Sequence, residues 1–193
     1  PVQNGEISPP PTPPIALCVA SIEGRKNHSA LLAACELLWS RGEKFSLHLI
    51  GLAQAQTGAA ALAKIRALQA AGHPLRYDGP VSDAAVEAAY AACTFTVYPS
   101  VIEGFGLPVI ESLSHGKPCI CSARGALGES ARGGGCVALA TVDAASIAEA
   151  IAQLLRTPHA LSDLAVQARA RRFKTWSDYA REVTAWICAL PRR

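Results

Sequence analysis

From Ile15 onward, short apolar runs alternate with segments of helical periodicity, and that alternation leaves few folds open. Strand-forming runs span Ile15 to Ala20, Phe45 to Ile50, Leu75 to Tyr77, Thr94 to Tyr98 and Pro118 to Ser122, with a sixth at Gly133 to Ala138. Between them, His28 to Arg41 sets Leu31, Leu32, Cys35, Leu38 and Trp39 on one helical face. Ala53 to Ala71 is alanine-rich and helical up to Gly72, and Val86, Ala89, Tyr90 and Cys93 recur at helical spacing behind Ser82 or Asp83 as a cap. Gly125 to Gly128 reads as a loop, and helices are expected at Ser146 to Leu155, Leu161 to Phe173 and about Ser177 to Cys188. Parallel strands joined through helices cross over right-handed, so the expected class is α/β: a doubly wound parallel sheet of about six strands with helices on both faces. Residues 1–14, rich in proline, read as a linker or extended segment, and 15–193 as one domain.

Ligands of such sheets bind beyond the carboxyl ends of the strands. Two chemical groupings fall at that edge. After the fourth strand comes Pro99-Ser-Val-Ile-Glu-Gly-Phe-Gly-Leu-Pro-Val-Ile-Glu-Ser-Leu-Ser-His-Gly116, in which Glu103 and Glu111 flank a glycine-bearing turn. Gly104 and Gly106 let main-chain N–H groups approach a phosphate or sugar oxygen, and Pro108 suits the first turn of a helix whose free amides and positive dipole end favour an anion. After the first strand, Arg25 and Lys26 precede a helix beginning near Asn27 or His28, so two cations project over the same edge. Together these groups can neutralise a diphosphate and hydrogen-bond hydroxyls.

The run Glu103-Gly-Phe-Gly-Leu-Pro-Val-Ile-Glu111 resembles the Glu-x7-Glu signature of retaining glycosyltransferases of family 4, with Pro99-Ser100 before it and Gly116-Lys117-Pro118 after it, as in that family. The similarity extends from about Ile15 to Arg181 through Arg25-Lys26-Asn27, Leu47-His-Leu-Ile-Gly51, Val81-Ser-Asp83, Tyr90, Trp176 and Ala180. It implies a Rossmann-like C-terminal half of a GT-B fold, with the N-terminal acceptor-binding domain outside this sequence. It further implies a nucleoside diphosphate sugar (UDP-, GDP- or ADP-linked) as donor substrate, no other cofactor, and retaining glycosyl transfer in polysaccharide or lipopolysaccharide synthesis to a glycan or lipid-linked glycan. By the same resemblance Glu111 holds the ribose hydroxyls and Glu103 lies beside the donor sugar as the catalytic carboxylate. The amides around Gly104, Phe105, Gly106 and Leu107 hold sugar and phosphate oxygens, and Arg25 and Lys26 hold the diphosphate. Ser100, Ser82 and Glu129 are further candidates, with the segment from Arg76 to Ser82 as a wall for the base. The alternative is a nucleotide-sugar-binding module without activity of its own.

Net charge is +3 and the few aromatic residues are not interleaved with basic ones, which argues against a nucleic-acid partner. Arg169-Ala-Arg171-Arg172 and Pro191-Arg192-Arg193 read as a solvated helix face and tail, with peripheral membrane contact at most. The seven cysteines are odd in number and embedded in apolar runs, as small buried hydrophobes of a reducing cytoplasm. Cys119 and Cys121 share a strand face but lack further ligands at zinc-site spacing, so no metal is expected. Nor does any Asp-x-Asp occur. His48 reads as a core histidine, and His28 and His115 as capping or surface residues. A dinucleotide enzyme would need Gly-x-Gly-x-x-Gly after the first strand, where Ser21-Ile-Glu-Gly-Arg-Lys26 stands instead.

Overall fold

The computed structural model describes residues 12–191. Most of the proline-rich segment expected at 1–14, and the last two arginines of the tail, lie outside the described residues. Six strands form one parallel sheet: β1 (Ile15–Val19), β2 (Ser46–Ile50), β3 (Leu75–Tyr77), β4 (Phe95–Tyr98), β5 (Cys119–Ser122) and β6 (Cys136–Leu139). Their spatial order is β3-β2-β1-β4-β5-β6, the doubly wound arrangement in which chain direction across the sheet reverses between β1 and β4. Among the described residues eight α-helices connect or follow them: α1 (His28–Ser40), α2 (Ala59–Ala70), α3 (Asp83–Ala92), α4 (Leu107–Ser114), α5 (Gly125–Ala131), α6 (Ala144–Arg156), α7 (Pro158–Ala170) and α8 (Trp176–Ala189).

Alternation along β1 divides the core. Ala16 and Cys18 join the main cluster with Leu31, Leu32 and Cys35 of α1 and Ile147 and Ile151 of α6, whereas Leu17 faces Ala89, Tyr90 and Cys93 at the end of α3. A strand buried on both faces reads as a continuous apolar run, as Ile15 to Ala20 does. On β4, Thr96 meets Ser112 of α4 at 2.6 Å and Tyr98 meets Tyr90 of α3 at 2.7 Å, so α3 and α4 cover the same face.

The structure departs from the expected elements in four places. The strand expected at Gly133 to Ala138 starts only at Cys136, because Gly134 and Gly135 turn the chain at φ 89° and 81°. The Ala53 to Ala71 helix starts only at Ala59, because residues 53–58 form a turn against the first loop, with the Gln54 amide donating to the Ile22 carbonyl. Leu161 to Phe173 is displaced to Pro158–Ala170, since Pro158 sits at the first helical position and Arg171 is already extended. Gly125 to Gly128 is not a loop but the start of α5. Gly128 is required there by proximity rather than flexibility: a Cβ would fall 2.0 Å from the Ala123 carbonyl oxygen.

His28 is neither a cap nor a surface residue. It is buried, with Nε2 3.8 Å from Cys18 Sγ and Nδ1 lacking a partner, and burial first, then the Lys26 charge, lowers its pKa to about 4. The unfolded chain takes up this proton near the ordinary histidine value and the folded chain only near the lowered one, so stability falls as pH drops through that window. Unfolding free energy measured in urea should decrease by about 2 kcal/mol between about pH 7 and about pH 5. The His28→Gln variant should lose most of that slope.

Candidate functional site

The β1–β4 register runs over Ala16↔Phe95 and Leu17↔Thr96 and no further, so the carboxyl halves of these strands part where the sheet order reverses. The loops after β1 and β4 occupy this opening and are tied to each other. The Val101 amide donates to the Arg25 carbonyl at 2.9 Å, and the Asn27 side-chain amide donates to the carbonyls of Pro99 (3.2 Å) and Val142 (2.7 Å). Asn27 adopts φ 56°, a left-handed conformation that asparagine tolerates better than most residues, between the 3₁₀ turn Gly24–Lys26 and α1.

This tie brings the two sequence groupings together. Lys26 Nζ donates to Glu103 Oε1 at 2.5 Å and Arg25 Nη1 to Glu103 Oε2 at 2.9 Å, while Arg25 Nη2 also reaches Glu23 Oε1 at 2.9 Å. The pair of cations is unequal: the Lys26 side chain is 10% exposed and that of Arg25 47%. Burial raises the Glu103 pKa, but hydrogen bonds from Lys26, Ser100 and Arg25 outweigh it and hold the carboxyl below its usual range. Glu103 is thus an anion fixed between two cations, with the buried Ser100 close by.

Gly106 precedes α4 at φ 81°, and a Cβ there would lie 2.9 Å from the Ala126 carbonyl oxygen and 3.0 Å from Ser130 Oγ, so α5 seats directly on the turn. Pro108 occupies the first turn of α4, and no side chain caps that end. Pro108 has no N–H and the Val109 amide donates to the Gly106 carbonyl at 3.1 Å, so the Leu107 amide and those of the preceding turn are the ones left for a ligand. Gly104 and Phe105 stand exposed at the mouth, and Leu107 opens the helix. Leu52, Val101, Ile102, Phe105 and Leu107 form an exposed apolar rim, Phe105 being 69% accessible.

Glu111 is exposed one turn into α4, where its Oε2 accepts from Tyr90 Oη at 3.2 Å. Since Tyr90 donates to the carboxylate, Tyr98 donates to Tyr90, giving a directed relay Tyr98→Tyr90→Glu111. Tyr90 stacks on His115, with centroids 4.4 Å apart. Burial raises the pKa of both phenols, which stay protonated. Periodicity marks Tyr90 as a core residue. Its second role follows only from a hydroxyl placed beside Glu111, a contact between α3 and α4 that no local pattern encodes.

Ser82 caps α3, accepting from the Ala85 amide, and has no bond to the cluster. Glu129 is exposed on α5 without a side-chain bond to the other candidates. Asp78 and Arg76, in the segment expected to wall the base, pair with each other, and His48 completes that group at 2.9 Å from Asp78. A cavity of about 630 Å³ lined by Trp39, Phe45, His73 and Pro74 lies at the opposite, amino-terminal edge of the sheet, away from these groups.

Known proteins share this fold. The family model described as Glycosyl transferases group 1 matches residues 3–171. The O-antigen chain mannosyltransferase B of Escherichia coli is 36% identical over 108 residues, covering 55% of this chain and 28% of that protein. The MMP alpha-(1->4)-mannosyltransferase of Mycolicibacterium hassiacum is 31% identical over 109 residues, 54% of this chain and 26% of its own. Sucrose-phosphate synthase from Thermosynechococcus elongatus superposes with a TM-score of 0.76 at 26% identity, over 91% of this chain and 45% of that one. Anabaena HepE, solved in complex with UDP and glucose, has a TM-score of 0.75 at 17% identity, over 91% and 48%. The chain therefore spans less than a third of these curated relatives and less than half of the solved ones.

The tyrosine relay makes a test of its own. Tyr90→Phe leaves the buried Tyr98 hydroxyl unpaired and should cost about 1–3 kcal/mol in chemical denaturation. Adding Tyr98→Phe should recover part of that loss, because two apolar rings then meet without an orphaned group.

Proposed function

The chain belongs to the glycosyl transferases group 1 family, and on that footing we propose that the cleft at the β1–β4 opening binds a nucleoside diphosphate sugar for glycosyl transfer with retention at the anomeric carbon. The observation that carries this reading is the convergence of Arg25, Lys26 and Glu103 on the uncapped start of α4 at the point where the sheet order reverses. Such a crevice is where α/β sheets hold nucleotides.

In this reading Glu111, aimed by Tyr90, accepts hydrogen bonds from the ribose hydroxyls. The amides around Gly104, Phe105, Gly106 and Leu107 and the Arg25–Lys26 pair receive the diphosphate. Arg25, the more exposed cation, turns from Glu103 to the phosphate, and Lys26 bridges the two. Negative charge develops on the departing phosphate oxygen as the glycosidic bond breaks, and groups fixed in advance stabilise that charge without reorganising. Glu103, held ionised, faces the positive charge that grows on the sugar ring. Its partners keep it a carboxylate at neutral pH, which suits electrostatic stabilisation better than proton donation. The mannosyltransferase names of the relatives favour mannosyl as the transferred hexosyl group and a growing surface polysaccharide as the acceptor. The reaction would then take place in the cytoplasm, with at most peripheral membrane contact. No helix among the described residues is long and apolar enough to cross a membrane.

One observation favours a second reading. Because the chain spans 28% of the first curated relative, these residues can bind the donor while the acceptor is held elsewhere, so that the chain alone is a binding module. Calorimetric titration with UDP, GDP and ADP, followed by a transfer assay, separates the two. Saturable binding of one nucleotide is expected, and Glu111→Ala and Lys26→Ala should each weaken it by tenfold or more, about 1.4 kcal/mol. Equal affinity in wild type and both variants would remove the site from consideration.

A further inference from the structure

Three of the seven cysteines converge where the sequence showed only two. Cys119 and Cys121 alternate along β5 and so share a face, and the β5–β6 register sets Cys136 directly beside Cys119. Their three Sγ atoms lie within 4.8 Å of one another. Cys119 and Cys121 are fully buried, and Cys136 is partly open. All three are free thiols.

From this convergence we propose that Cys119, Cys121 and Cys136 form a binding site for a soft divalent metal ion, held by three thiolates with one further position open to water. Thiolates select soft ions such as zinc or cadmium over hard ones. With metal–sulfur bonds near 2.3 Å, tetrahedral ligands stand about 3.8 Å apart, so the sulfurs need to close by only about 1 Å. The ligands sit on two hydrogen-bonded strands rather than on loops, which holds their backbones in place while the side chains close. No histidine or carboxylate joins them among the described residues, which is why the fourth position falls to solvent.

The charge balance favours a divalent ion. Binding releases three thiol protons to the buffer and leaves a complex of net charge minus one, with no change of oxidation state. Arg171 supplies the compensating positive charge. Its guanidinium donates to the carbonyls of Gly134 and Ser130, each at 3.0 Å, and so is fixed two residues ahead of Cys136. A buried anionic complex without such a partner would be strongly disfavoured. Entry is through Cys136, the one partly accessible thiol of the three.

Cadmium titration of the reduced chain tests the site. One equivalent should bind, producing the ultraviolet thiolate-to-metal charge-transfer band and raising the thermal midpoint. Cys136→Ala, a change at a partly exposed position, should abolish both effects, whereas Cys188→Ser, at the exposed cysteine of α8, should leave them intact. Absence of the band in wild type, or its persistence in Cys136→Ala with the fold shown intact by circular dichroism, would mean that the three thiols are only small apolar side chains of the core. A band lost in Cys188→Ser would place the metal elsewhere.

Discussion

Everything at the carboxyl edge of this sheet depends on how two loops are held across a gap that the strands themselves do not close. Beyond Leu17↔Thr96 there is no β1–β4 ladder, and the span is carried by one backbone bond from Val101 to Arg25 and one side-chain bond from Asn27 to Pro99. Asn27 suits this task because it accepts a left-handed backbone and carries an amide with two donors, one for the β4 loop and one for the segment before α6. The Lys26–Glu103 pair closes the same gap through side chains. Removing one member of a nearly buried pair leaves the other poorly solvated, so these residues serve the shape of the cleft as well as its charge.

How much of this was legible in the chain varies with the distance over which each feature is encoded. The strands and the signature helix are local: Thr94 to Tyr98 and Leu107 to Ser114 carry their own propensities and their own proline. The doubly wound class followed from alternation, but the order β3-β2-β1-β4-β5-β6 did not, and only that order sets Arg25 beside Glu103. The relay Tyr98→Tyr90→Glu111 joins three elements and was invisible for that reason, as was Cys136, which reaches Cys119 only through strand register. Glycine was misread in the other direction. Gly125 and Gly128 look like breakers by composition, yet Gly128 is there because α5 presses its backbone against Ala123.

The two ends of the sheet also differ in character. The amino-terminal edge carries stacked rings that line its cavity, Trp39 lying against both Phe45 and His73 at centroid distances of 5.5 and 5.0 Å. The carboxyl edge carries a charged centre inside an apolar rim of Leu52, Val101, Ile102, Phe105 and Leu107. Helix α8 presents Trp176, Tyr179, Trp186 and Ile187 to solvent and buries none of its residues. Its capping box of Thr175 and Asp178 fixes where the helix begins without help from tertiary packing.

The balance of charge in the cleft has a kinetic consequence. Arg25 and Lys26 are paired with Glu23 and Glu103, and Glu111 adds a further carboxylate, so the cleft projects no net positive field into the solvent. Anions are not drawn to it from a distance, and encounter is left to ordinary diffusion with little dependence on ionic strength. Under the proposed function, selection would occur only at contact, where a molecule must offer enough phosphate charge to loosen Arg25 and enough hydroxyls to satisfy Glu111. Inorganic phosphate meets only the first demand and a free sugar only the second. A cleft of this kind would screen for the combination of groups rather than for charge.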